Sequence, residues 1–116
     1  MDSGMFYGIQ KGAIAALASG QDWFNALDEV YTARRELMFA LVDKLNCTYD
    51  RNAVGMFIWA KLPAGAQDSE EFIDNVLADK DVFIAPGTIF GSNGEGYIRF
   101  SLCVKEAKIK EALDRF

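Results

Sequence analysis

The chain has 116 residues, 51% of them hydrophobic and 13% aromatic, which suits one compact core and is too short for two. Its formal net charge is −5, and its 12 Lys and Arg are scattered among 17 Asp and Glu, so no basic stripe exists to engage the phosphates of a nucleic acid. Two cysteines and no histidine exclude the usual zinc spacings and any imidazole chemistry, and a reduced, cytoplasmic setting is the expectation.

The stretch from Met1 to Leu17 is apolar, yet Asp2 stands near its start, Lys11 interrupts it and no basic region precedes it, so it reads as part of the fold rather than a targeting segment. Charges recur within every window of about twenty residues, which leaves no room for a membrane span. From Met5 to Ser19, Phe6, Ile9, Ala13, Ile14 and Leu17 recur at helical steps and predict a short helix ending at Gly20. Gly4, Gly8 and Gly12 lie four residues apart, a spacing that lets another backbone approach although each interior glycine costs roughly 1 kcal/mol. Such a helix needs a neighbour.

Asp22 is placed to cap a long second helix whose apolar stripe of Trp23, Leu27, Val30, Tyr31, Leu37, Met38, Leu41 and Leu45 runs to about Asn46. Arg34 and Arg35 interrupt the stripe, and ion pairing with Glu36 or Asp43 is their expected use. Cys47 to Tyr49 and Met56 to Leu62 read as strands, the second entered through Gly55 and closed by Pro63. Asp68 followed by Glu71 has the spacing of a capping box and opens a third helix to about Lys80, with acidic Glu70 and Glu71 suited to its first turn. Val82, Phe83, Ile84 and Ala85 form an apolar run that reads as a buried strand, ended by the turn signal Pro86-Gly87. A glycine-rich loop through Gly96 follows, then a strand from Tyr97 to Cys103 and a closing helix from Lys105 to Phe116 bearing Ile109, Leu113 and Phe116. Both cysteines, Cys47 and Cys103, read as buried fillers. Without regular βαβ alternation, the order predicts an α+β sandwich, helices packed on a mostly antiparallel sheet.

Alternation along the Tyr97 to Cys103 strand puts Ile98, Phe100 and Leu102 on one face and Tyr97, Arg99 and Ser101 on the other. Arg99 is therefore either a fixed guanidinium whose parallel donors match a carboxylate or a solvated arginine on the sheet's open side. The loop from Pro86 to Gly91 either offers backbone N–H groups to an anion or simply ends a strand, and it matches no nucleotide-binding spacing. Asp2-Ser3-Gly4 is either a polar site segment or a helix cap.

Five stretches taken together are more specific than any one of them. Asp2-Ser3-Gly4-Met5-Phe6 leads to Ile9-Gln10-Lys11-Gly12-Ala13-Ile14; then come Val30-Tyr31-Thr32-Ala33-Arg34-Arg35, Gly55-Met56-Phe57-Ile58-Trp59-Ala60-Lys61-Leu62-Pro63, Ile84-Ala85-Pro86-Gly87-Thr88-Ile89-Phe90-Gly91 and Gly94-Glu95-Gly96-Tyr97-Ile98-Arg99-Phe100-Ser101-Leu102. In this order and spacing, the chain resembles the C-terminal part of a fold-type I, class I/II pyridoxal-phosphate-dependent aminotransferase. The resemblance implies an interdomain and interface segment over 1–20 and the small domain over 21–116. It implies that Arg99 grips the substrate α-carboxylate, that Gly87 and Phe90 help shape the substrate entrance, and that Asp2 and Ser3 lie near the cofactor phosphate at a homodimer interface. It also implies an amino acid and a 2-oxo acid as substrates and an N-terminal large domain as partner, with no nucleic acid, membrane or metal. The chain departs from the family's full pattern in lacking the Schiff-base lysine, the aspartate that faces the pyridine nitrogen and the phosphate-binding residues, all of which precede this region. A chain without them is expected to bind no pyridoxal phosphate and to be inactive alone. On the residues themselves, a stand-alone module that binds a small anion or dimerises stays open, and within the family so does a lyase or decarboxylase.

Overall fold

A computed structural model describes residues 4–116, so Asp2 and Ser3 lie outside the described residues. The chain divides into two compact units, Met1–Val30 and Tyr31–Phe116. Helix α1 (Tyr7–Leu17) and the first ten residues of α2 (Gln21–Lys44) fall in the first unit. No residue of α1 is buried, and Phe6, Ile9, Ile14, Leu17, Trp23 and Phe24 are all exposed. The glycine spacing brings no backbone close among the described residues: a Cβ at Gly12 would meet nothing, and one at Gly8 would strike only the Phe6 ring. Asp22 sits inside the first turn of α2 rather than ahead of it, where a carboxylate still complements the helix dipole.

The second unit holds the rest of α2, then β1 (Thr48–Tyr49), β2 (Phe57–Lys61), α3 (Ser69–Lys80), β3 (Ala85–Pro86), β4 (Tyr97–Ser101) and α4 (Glu106–Leu113). The four strands form one antiparallel sheet in the order β1-β2-β4-β3, so β4, last in the chain, is central. This is the expected α+β architecture. Ile58, Ala60, Ile98 and Phe100 alternate onto one face and are buried with Met38, Phe39, Leu41 and Val42 of α2, Ile73 and Val76 of α3, and Ile109 of α4. Phe39 and Val42 extend the helix stripe beyond the expected positions. Leu27 and Val30, by contrast, are exposed, because the buried part of α2 begins only in the second unit.

Two expected burials are corrected. Phe83 is exposed, since the run from Val82 to Ala85 follows strand alternation at the sheet's edge and only Ile84 of that run is fully inside. Cys103 is exposed as well: it follows the end of β4, and strand parity groups it with Arg99 and Ser101 rather than with Leu102. Cys47 is buried as expected.

Asp68 caps α3, its carboxylate accepting from the N–H groups of Glu70 and Glu71 at 2.9 Å each. The Ser69 N–H is taken by Glu95 (2.7 Å) from the turn before β4, not by a helical neighbour. Gly96, at φ +78°, makes that turn possible and donates to the buried Ser69 hydroxyl at 2.9 Å. The arginine pair of α2 does not make the expected ion pairs with Glu36 or Asp43. Arg34 donates to Glu106 and to the Leu102 carbonyl, both at 3.1 Å, and Arg35 donates to the carbonyls of Ala53 (2.8 Å) and Gly55. Both side chains thus tie α2 to the chain flanking β2 and β4, where the Leu102 N–H also donates to the Met56 carbonyl at 2.8 Å.

Candidate functional site

The sheet face opposite the core carries Phe57 and Trp59 of β2 and Tyr97, Arg99 and Ser101 of β4. Register sets Trp59 directly beside Arg99 on one side and Ala85 on the other. A 3-10 turn at Gly87–Phe90 follows β3 and brings the Phe90 ring over the same face. The Arg99 guanidinium carbon lies 4.2 Å from the Phe57 ring centroid and 4.0 Å from that of Phe90. Trp59 completes the surround, stacking on Tyr97 at 5.5 Å and meeting Phe90 edge-on at 6.0 Å.

Among the described residues Arg99 has no carboxylate partner. Its Nε is buried and has no hydrogen-bond acceptor among the described residues. A buried donor left unsatisfied costs about 1–3 kcal/mol, so the arrangement is suited to an acceptor that arrives from outside. Phe57, Trp59 and Phe90 are 40%, 42% and 48% exposed, so these aromatic residues still present surface to an incoming molecule. This is an apolar rim around the Arg99 cation, the arrangement expected of a site that orients an amphipathic anion.

Of the residues expected at the site, Arg99 and Phe90 are brought together, and Gly87 begins the turn that carries Phe90. Gly87 is buried where a Cβ would collide with the carbonyl oxygens of Gly94 and Tyr97, so its lack of a side chain serves close packing of the two turns. Sequence reasoning missed Phe57 and Trp59 as site residues. Their signal was present in β2, where Phe57, Trp59 and Lys61 alternate with buried Ile58 and Ala60, but aromatic residues at such positions read first as core.

A largely apolar cavity of about 300 Å³ lies among Met38, Leu41, Ile84, Phe100, Val104 and Ile109, with Arg99 also in its lining. Lys108, which also lines it, is engaged by Glu111 at 2.7 Å. The residues present do not make up a pyridoxal phosphate site. A Schiff-base lysine needs a desolvated setting, whereas six of the seven lysines are exposed and the seventh, half-buried Lys80, pairs with Asp79 at 2.9 Å. No step through that cofactor is assigned to these residues.

No family model matches the chain. It is 38% identical over 115 residues to an LL-diaminopimelate aminotransferase of Nitratidesulfovibrio vulgaris (strain DSM 19637 / Miyazaki F), covering 99% of this chain and 30% of that protein. The corresponding protein of Desulforudis audaxviator is 40% identical over 115 residues, with 29% of its length covered. The chain thus spans less than a third of the curated relatives it matches. Among solved structures, an aminotransferase from Staphylococcus aureus superposes with a TM-score of 0.77 at 33% identity, covering 98% of this chain and 30% of that one. An aromatic aminotransferase from Pyrococcus horikoshii OT3 gives 0.74 at 27% identity, over 92% of this chain and 29% of that one. Nearly the whole chain is accounted for in both comparisons. By sequence and by fold, nearly the whole chain is similar to a part, under a third in length, of fold-type I aminotransferases.

Proposed function

We propose that this chain is the substrate-binding part of a pyridoxal-phosphate-dependent aminotransferase that moves an amino group between an amino acid and a 2-oxo acid in the cytoplasm. Arg99 holds the substrate α-carboxylate through paired, charge-assisted hydrogen bonds. The observation that carries this reading is the Arg99 guanidinium fixed between two aromatic rings, with a buried Nε that lacks an acceptor. Pyridoxal phosphate, when bound by the large domain, supplies the electron sink for the amino-group chemistry. What this domain contributes is orientation: a carboxylate seized at a fixed point leaves the substrate's α-carbon one defined direction in which to project. Asp2 and Ser3, with the rest of the 1–20 segment, are assigned to the homodimer interface near the cofactor phosphate, and Gly87 and Phe90 to the substrate entrance.

The relatives' substrate, LL-diaminopimelate, is the first amino acid to assay. A full-length protein containing this chain should transfer its amino group to a 2-oxo acid, while the 116 residues alone should show no turnover with added pyridoxal phosphate. Turnover by the isolated chain, or none by the full-length protein across a panel of amino acids, would overturn the proposal.

A further inference from the structure

Phe57 belongs to β2 and Phe90 to the turn after β3, the two strands that flank β4, and their ring centroids lie 4.2 and 4.0 Å from the guanidinium carbon of Arg99. We propose that Phe57 and Phe90 are positioning residues that hold the Arg99 fork ready for the carboxylate, a reading that rests on the carboxylate assignment above. An arginine side chain carries considerable rotamer entropy, part of which a free guanidinium would lose each time it bound substrate. A second carboxylate could fix it, but would occupy the same donors. Aromatic faces restrain the cation without using its N–H groups, because the attraction is between the charge and the ring quadrupole. The donors point outward in the guanidinium plane, where a carboxylate that binds two of them must also lie. The apolar plates also lower the local dielectric, which strengthens the ion pair once water is displaced.

Phe57 owes its place to α2. Arg35 donates to the Ala53 and Gly55 carbonyls immediately before β2, and the Leu102 N–H donates to the Met56 carbonyl, so the segment entering Phe57 is fixed from two directions. Phe90 is fixed by the packing of Gly87 on Gly94 at the base of its turn.

The test uses the full-length enzyme with Phe57→Leu, Phe90→Leu, Phe57→Tyr and Phe90→Tyr, and with Arg99→Lys as reference. The leucine variants should each raise KM for the amino acid by about 2- to 30-fold with a smaller change in kcat, and the tyrosine variants, which keep a ring face, should restore it. Leucine variants with unchanged KM, beside an Arg99→Lys variant whose KM rises, would overturn the clamp and leave the carboxylate contact standing. An unchanged KM for Arg99→Lys would instead remove the underlying assignment. If the leucine substitutions prevent folding, proton NMR of the unsubstituted 116-residue chain decides. Arg99 Hδ resonances shifted upfield by ring currents support the clamp, and unshifted ones overturn it.

Discussion

Burial pushes the Cys47 thiol from its ordinary 9.0 up to about 11. The thiolate is the reactive form, so Cys47 should resist alkylation at pH 8 while exposed Cys103 reacts. A thiol-specific reagent should therefore titrate one group per chain quickly and the second only on unfolding; two fast groups would show that the Cys47 site opens readily. The same shift has a stability consequence. The unfolded chain ionises this thiol near 9.0 and the folded chain only near 11, so raising the pH across that window favours unfolding. That Cys103 is outside follows from its strand parity with Arg99, which a reading based only on the lack of an activating histidine or cationic setting does not use.

At the scale of elements, Glu95 links the turn before β4 to the start of α3. The N–H groups of Ser69 and Gly96, with help from the Ser69 hydroxyl, hold its carboxyl below the usual 4.5. A lowered acid contributes stability that is complete above 4.5 and is lost as pH falls through the folded-state value. Glu95→Gln should remove that part of the acid transition, as followed by circular dichroism, and leave the neutral-pH spectrum unchanged. An identical acid profile would mean the contact is not maintained in solution. Element order and the α3 cap were legible because periodicity and capping are local. Partners such as Glu95 for Ser69 or Leu102 for Arg34, 26 and 68 residues away, were not, since they depend on sheet order. That order, β1-β2-β4-β3, is set by long-range pairing. The same limit hid the aromatic surround of Arg99. Alternation gave its face of the sheet, but only the register Trp59↔Arg99 and the turn carrying Phe90 reveal which rings meet it.

For the whole molecule, no helix among the described residues is long and apolar enough to cross a membrane, yet the first unit exposes Phe6, Ile9, Ile14, Leu17, Trp23 and Phe24. Exposed apolar surface of this kind marks a site of interaction. The 116-residue chain should therefore self-associate as its concentration rises in sedimentation experiments, and a monomer throughout would contradict that expectation. The central claim, however, concerns one cation on the sheet's open face. Its most direct measurement is KM for the amino acid in the full-length enzyme carrying Arg99→Lys, which keeps the charge but removes the planar fork. The account predicts a rise of about 10- to 100-fold, in line with the 1.5–3 kcal/mol of hydrogen bonds made to a charged group. An unchanged KM would contradict it.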